Sequence, residues 1–362
     1  QRWQQLDTHL GRVARLWNGI PHYCRRHAQW GHRQGHRRAP IQHRHGDYQF
    51  HIINNGGATA LTKSGPGMLT ISWTNSYSGK TIVNGGTLAV AASDAGANAN
   101  LGAYPANFQA DNITLNNGAT LRMNAVNVDL TRVNRGIVVG PGTQKISKDP
   151  ANANEKVNVY GVISGPGGLD FYGYAHWIQL YAANTYSGDT RLYSSGGTLR
   201  LVNYLALQNS TVDYNSYGTM SLEFAAGAGT YVFGGLKGNQ ALAFNNGNLA
   251  IGNNNRDTDY TGTFSGSGGI TKIGTGSLVL GGNNTFAGQL IVESGILKVG
   301  IINTNNVAGP LGQSTNAVTL GYAGVSGTLA YTGATTNSSK PFSMATGGTG
   351  VFRIDNAGTT LT

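Results

Sequence analysis

Few residues in this sequence are grouped in a way that supports chemistry. Glu155, Glu223 and Glu293 are far apart, whereas acid–base catalysis and calcium binding need clustered carboxylates. The densest charged group, Arg256-Asp257-Thr258-Asp259, directly follows Gly252-Asn253-Asn254-Asn255. Asn, Asp and Gly gather in turns because of their local hydrogen bonds and backbone freedom, so this group is expected to be a solvated turn. We therefore predict no catalytic centre, no metal site and no cofactor.

An aromatic cluster is the second candidate. It consists of Tyr172, Tyr174, His176 and Trp177. Exposed aromatic rings beside a regular scaffold can stack on sugars, and we predict a glycan-contact site at these four residues. The alternative is that the rings fold onto the scaffold and cap an irregular layer. His176 is the only histidine beyond residue 51, so no Ser/His/Asp triad is expected there.

A three-part motif repeats in the elements that would position these residues. The first copy runs from Gly65-Pro66-Gly67 through Asn75-Ser-Tyr-Ser-Gly79 to Gly86-Thr-Leu-Ala-Val90, and the third has the same offsets from Gly274 to Val299. We align the second copy from Gly165 to Leu201, with nine extra residues around Tyr172 to Tyr181. The glycines expected to form the repeat turns are Gly65, Gly67, Gly79, Gly86, Gly165, Gly167, Gly188, Gly197, Gly274, Gly276, Gly288 and Gly295.

Short alternating apolar segments separated by Gly and Asn predict the fold. A strand of four or five residues cannot bury its inner face alone, so the copies must stack on one another. We predict an all-β, right-handed parallel β-helix (a β-solenoid) of about a dozen coils, with ~20–25 residues per coil. An antiparallel sandwich is the structural alternative. The predicted units are residues 56–160, 161–265 and 266–362, the last of them truncated.

Residues 1–55 differ in composition from the rest. The first 50 residues hold nine Arg and two Asp, so they contribute +7 of the formal net charge of +10, and they also contain Cys24, the only cysteine. Three readings stay open: a basic tail for nucleic acid or anionic surfaces, a metal site at His32/His36 or His43/His45, or a segment that is not native coding sequence. In each case we expect poor order. No nucleic acid is expected to bind the solenoid itself.

The three-part motif resembles the passenger-associated transport repeat of bacterial autotransporter passenger domains. The resemblance rests on Gly65–Val90, Gly165–Leu201 and Gly274–Val299 and extends over about 300 residues. It implies a secreted or cell-surface β-helical rod whose repeats assist transport and folding. It also implies an outer-membrane anchor in the form of a C-terminal β-barrel, which this sequence lacks, so membrane contact is expected only through such a barrel.

The expected function is therefore that of an adhesin-like passenger or surface scaffold and not of an enzyme. Its expected partners are host or environmental glycans or neighbouring cell-surface proteins. Two alternatives remain: a polysaccharide-binding or polysaccharide-degrading β-helix protein, and a filament subunit that associates end to end through unpaired strand edges.

Overall fold

A computed structural model describes residues 51–54, 57–58, 60–91, 100–124, 127–149, 155–225, 227–245 and 247–362. Its named elements within these ranges are thirty short β-strands. The predictions for residues 1–50 lie outside the described residues. The strands of the first half are β1 Leu61–Lys63, β2 Met68–Ile71, β3 Thr81–Val83, β4 Thr87–Val90, β5 Gln109–Leu115, β6 Thr120–Met123, β7 Val128–Thr131, β8 Arg135–Val139, β9 Thr143–Lys148, β10 Lys156–Val159, β11 Ile163–Ser164, β12 Gly168–Tyr172, β13 Trp177–Leu180, β14 Thr190–Tyr193 and β15 Thr198–Leu201.

The strands of the second half continue the same pattern. They are β16 Leu207–Tyr214, β17 Ser221–Phe224, β18 Thr230–Gly238, β19 Leu242–Ala243, β20 Asn248–Ile251, β21 Thr258–Tyr260, β22 Phe264–Ser265, β23 Ile270–Lys272, β24 Ser277–Leu280, β25 Leu290–Val292, β26 Gly295–Val299, β27 Val318–Leu320, β28 Ser326–Tyr331, β29 Phe342–Met344 and β30 Thr349–Ile354.

Each strand pairs in parallel with the strand one coil away, as in β2–β4–β6–β9–β12–β14. Two further parallel ladders, β1–β3–β5–β8–β11 and β7–β10–β13–β15–β17, form other faces of the same coils. The result is a parallel β-solenoid of about 12 turns, which confirms the predicted fold class. Cross-strand partners are 18 residues apart at Phe233 and Ile251 and 33 apart at Thr87 and Thr120, so the coils vary more in length than predicted.

The solenoid interior is a stack of aligned apolar columns. One column passes through Leu88, Leu121, Ile146 and Phe171 on successive coils, and all four side chains are fully buried. This arrangement follows from the period-two alternation of each strand, which sends every second side chain inward. The residues between them point outward and form equally regular columns on the surface.

The ladder forks at β18, whose length of nine residues is the greatest of the described strands. Its first half pairs with β20, and its last residue, Gly238, pairs with Tyr260 of β21. Beyond β18 the ladder that began at β2 continues as two ladders. One passes through β23, β25 and β27, and the other passes through β24, β26 and β28. The outer columns of the second copy therefore end near this fork.

Candidate binding surface

The second copy of the motif begins later in the sequence than predicted. Strand β13 ends at Leu180, four residues before Asn184, as β2 and β24 end four residues before Asn75 and Asn284. The turn that precedes β13 is therefore Gly173-Tyr174-Ala175-His176, and Gly165-Pro166-Gly167 belongs to the preceding coil. The predicted nine-residue insertion is wrong: the aromatic residues are the turn of the repeat itself. Tyr174 and Ala175 have φ values of 49° and 67°, which glycine usually adopts.

The turn separates the four residues of the predicted glycan site. Tyr172 ends β12, whereas Trp177 begins β13 on the next face of the coil. His176 is fully buried between them, and its Nδ1 accepts a hydrogen bond from the backbone N–H of Glu155 at 3.3 Å. Trp177 is 36% exposed, but Lys156 Nζ and Arg200 Cζ lie 5.0 and 5.9 Å from its ring centroid. Both distances are within the range of a cation–π contact with the indole.

Tyr172 instead belongs to a row of rings that sequence analysis missed. Tyr172 and Tyr193 are cross-strand partners, and their rings stack at 5.1 Å with an interplanar angle of 13°. Tyr217 continues the stack at 4.8 Å from Tyr193, and Tyr174 lies 6.1 Å from Tyr172. Because adjacent strands are about 4.8 Å apart, strand register alone brings the rings of Tyr172 and Tyr193 into contact. We call Tyr174, Tyr172, Tyr193 and Tyr217 the tyrosine ladder.

A charged column runs beside the tyrosine ladder, two residues before the tyrosine on β12 and on β14. We call it the charge ladder, and its cross-strand order is Lys145, Asp170, Arg191, Asp213, Lys237. The signs alternate, and Arg191 Nε lies 3.2 Å from Asp213 Oδ2, while Lys237 Nζ lies 2.7 Å from Asp189. Tyr217 Oη donates to Asp213 Oδ2 at 3.0 Å and so ties the two ladders together.

Burial and charge set the protonation of these groups. Burial raises the pKa of Tyr172 to about 12, and the nearby charge of Asp170 acts in the same direction. Burial also raises the pKa of Asp170, against the opposing charges of Arg191 and Lys145. At Asp213 burial again opposes ionisation, but the hydrogen bond from Asn215 and the charge of Lys237 hold its pKa below the usual range. Tyr172 is therefore a neutral phenol at physiological pH.

A groove of about 360 Å³ opens at one end of both ladders. Its cause is a change of side-chain size: the column that contains Tyr193 and Tyr172 continues with Ser147 and then Arg122. A small serine between two long side chains leaves a notch about one strand wide. The residues that line this groove are Thr87, Thr120, Arg122, Lys145, Ser147, Lys148, Tyr172 and Tyr174.

The asparagine that all three copies share forms hydrogen bonds that bridge three coils. Asn184 Oδ1 accepts from Ile163 N at 2.9 Å, and its Nδ2 donates to Ala206 O at 3.0 Å. Asn75 and Asn284 make the equivalent pairs of bonds with the preceding and following coils. All three side chains are buried, so the motif needs an amide here to satisfy two buried backbone groups.

A lysine closes the turn of the first and third copies. Lys63 Nζ donates to the carbonyls of Ser64, Gly65 and Gly85, and Lys272 Nζ donates to those of Ile273, Gly274 and Ser294. Burial lowers the pKa of Lys272 to about 8, but three carbonyl acceptors favour its charged form. In the second copy the position equivalent to Lys272 is occupied by Phe171, a buried residue of β12 that also lies just before the turn.

Among the predicted turn glycines, Gly86 and Gly295 cannot be replaced without backbone strain and a steric clash. Both have positive φ, and a Cβ on either would lie 2.3–2.6 Å from two carbonyl oxygens of the preceding coil. Elsewhere in the repeat turns, a Cβ on Gly167, Gly188, Gly276 or Gly288 would also meet backbone of a neighbouring coil, whereas Gly65 and Gly67 have open space around them.

Asp257 lies in the turn predicted from the sequence and stabilises it by a hydrogen bond. Its Oδ1 accepts from the backbone N–H of Ser277 on the next coil at 2.7 Å, and this bond lowers its pKa. Asn255 Oδ1 accepts from Thr275 N in the same way. Within the described ranges no group of three His, Cys, Asp or Glu side chains is placed to hold a metal ion. The part of the chain that the structure describes also has no helix long and apolar enough to cross a membrane.

The coils, the bridging asparagines and the two surface ladders define a repeat-built β-solenoid rod. The model of the passenger-associated transport repeat matches residues 61–90, 179–201 and 270–299. The second match begins within β13, in agreement with the structural alignment. The adhesin BmaC autotransporter of Brucella suis biovar 1 (strain 1330) is 32% identical over 254 residues, which is 68% of this chain and 7% of that protein. No solved structure matches.

The chain therefore carries, in three copies, the passenger-associated transport repeat of bacterial autotransporter passenger domains. It spans only a small part of the curated relative's length. Its place is the cell surface or the extracellular space.

Proposed function

We propose that this chain is an adhesin-like segment of a surface rod and that it binds carbohydrate at the groove end of the tyrosine ladder. The observation that carries the proposal is the ring of Tyr172, which stacks on Tyr193 and also borders a groove rich in hydroxyl groups. The apolar C–H face of a sugar packs well against the electron-rich face of an aromatic ring. Thr87, Thr120 and Ser147 supply hydroxyl partners for the sugar's own hydroxyl groups.

Two further features support this site. The groove volume falls within the range of small-molecule sites, about 300–1,000 Å³. Its walls lie on paired strands, which hold side chains more rigidly than loops do.

The test is binding to an array of immobilised oligosaccharides. We expect Tyr172→Ala to weaken binding by roughly tenfold, because the stacking surface is lost. Tyr172→Phe, which keeps the ring, is expected to retain most of the affinity. Tyr322→Ala is the matched control, because Tyr322 is exposed and lies on a coil of the third copy. Equal binding by the wild type and Tyr172→Ala would refute the proposal, and loss on Trp177→Ala alone would move the site to the neighbouring face.

We also propose that the repeats assist folding during transport. The asparagine bridges support this idea, because each side chain needs both the preceding and the following coil before its hydrogen bonds are complete. Folding one coil therefore prepares acceptors and donors for the next. Asn184→Ala is expected to reduce the amount of folded passenger at the cell surface, whereas Asn305→Ala, in an exposed turn, is the control. Equal surface levels for the two variants would contradict this proposal.

A further inference from the structure

We propose that the groove selects acidic sugars, with the ligand's carboxylate bound by Lys145 above Thr120. This inference rests on the proposed carbohydrate-binding function and adds the class of ligand. Its starting point is the order of the charge ladder, which alternates as Lys237, Asp213, Arg191, Asp170 and Lys145. The next position, one strand further, is a neutral Thr120.

The ladder therefore ends on a cation that has a carboxylate neighbour on one side only. The closer ion pairs of this face go to other groups: Arg191 contacts Asp170 and Asp213, and Lys237 contacts Asp189. Within the described residues, no carboxylate oxygen lies within 4 Å of Lys145 Nζ, whereas the two other groove cations are paired. Arg122 contacts Asp149 at 2.6 Å and Lys148 contacts Glu155 at 2.5 Å.

The position of Lys145 relative to the stacking ring fits a sugar acid. Its ammonium lies 5.9 Å from the centroid of Tyr172 on the side of the groove. A pyranose packed against Tyr172 would therefore carry an exocyclic carboxylate within reach of this ammonium. Such a carboxylate would occupy the place that an aspartate at position 120 would take in the alternating ladder. A charge-assisted hydrogen bond in a partly desolvated groove is stronger than a neutral one.

A neutral sugar has no carboxylate, so its binding would give Lys145 no new ion pair. The groove should consequently prefer hexuronate- or sialate-containing glycans over the same glycans without the carboxylate. Since hydrogen bonds to charged groups are the stronger class, the preference should be about tenfold or more at low salt and should shrink as salt screens the pair.

The experiment compares matched probes with the intact 362-residue chain. The probes are sialyllactose against lactose, and a hyaluronan octasaccharide against its carboxyl-reduced form, each titrated by calorimetry. Lys145→Met should remove the preference for the acidic member, so that the two members of each pair bind with equal affinity. Lys298→Met is the matched control, because Lys298 is a half-buried outward lysine on β26 of the third copy.

A second pair of variants tests the vacant ladder position directly. Thr120→Asp supplies the missing carboxylate from the protein itself and should abolish the acidic preference, whereas Thr120→Asn should keep it. Tyr172-dependent binding of neutral and acidic probes with equal affinity would overturn the inference and leave carbohydrate binding intact. Binding of neither member of each pair would overturn both proposals.

Discussion

The buried tyrosine of the first copy allows a quantitative test of how the repeat is built. Tyr77 and Thr81 are both fully buried, and their hydroxyl groups are hydrogen-bonded at 2.7 Å across the turn. The third copy has Phe286 and Leu290 at these positions, also buried. A copy of the repeat thus has a hydroxyl group at both of these positions or at neither. Burial raises the pKa of Tyr77 to about 12, so the phenol stays protonated at ordinary pH.

Tyr77→Phe is expected to lower the free energy of unfolding by about 1–3 kcal/mol, because the Thr81 hydroxyl stays buried without its partner. Replacing both residues, in Tyr77→Phe/Thr81→Val, should restore stability to within about 1 kcal/mol of the wild type. Tyr186→Phe in the second copy should cost less than Tyr77→Phe. There, Thr190 Oγ1 keeps a second hydrogen bond to Ser210 Oγ at 2.7 Å.

The assay is urea unfolding followed by far-UV circular dichroism, with Tyr322→Phe as an exposed control that should cost nothing measurable. The coupling energy between positions 77 and 81 comes from the double-mutant cycle. The reasoning is refuted if Tyr77→Phe costs no more than Tyr186→Phe, or if the double variant is less stable than Tyr77→Phe alone.

Three further changes have defined outcomes. Asn284→Ala should destabilise the protein by about 2–5 kcal/mol in urea unfolding, since the buried Phe264 N–H and Pro310 carbonyl both lose their partner, and a cost near zero would contradict the bridge. Lys272→Met should lower the melting temperature more than Lys298→Met, because three turn carbonyls lose their donor. Burial and then the charge of Lys148 lower the pKa of His176, so the unfolded chain takes up a proton before the folded one does. Stability should therefore fall as pH drops below about 6.5, and His176→Gln should flatten this dependence; equal pH profiles would exclude His176 as the cause.

The first and third copies could be located from sequence because their turns use glycine at positions of positive φ. At these turns, Gly65 and Gly274 have φ of 76° and 70°. The second copy cannot be aligned correctly from this signal, because Tyr174 and Ala175 adopt positive φ without glycine. Its turn therefore lacks the Gly-x-Gly pattern of the other two copies. The closest Gly-x-Gly, at Gly165, belongs to the preceding coil.

The tyrosine ladder could not be derived from local pattern. Tyr172 and Tyr193 are 21 residues apart, and their contact depends on the register of a coil whose length varies. Tyr217 follows β16 and reaches the stack from a turn. The charge ladder has the same origin: each member looks like an isolated surface charge until the coils are stacked. Two of the four predicted glycan residues, Tyr172 and Tyr174, line the groove, while Trp177 lies on another face and His176 is buried.

The one-coil-at-a-time pairing of the strands has a mechanical consequence. The backbone of each coil pairs only with the neighbouring coils, so a pulling force on the rod's end acts on one layer and its asparagine bridge before it reaches the next. A released coil of about 20 residues changes from a rise of about 4.8 Å to an extended length of about 70 Å. Tension would therefore be relieved in discrete long steps, and the rest of the rod, with its binding surface, would keep its shape while the tether lengthens.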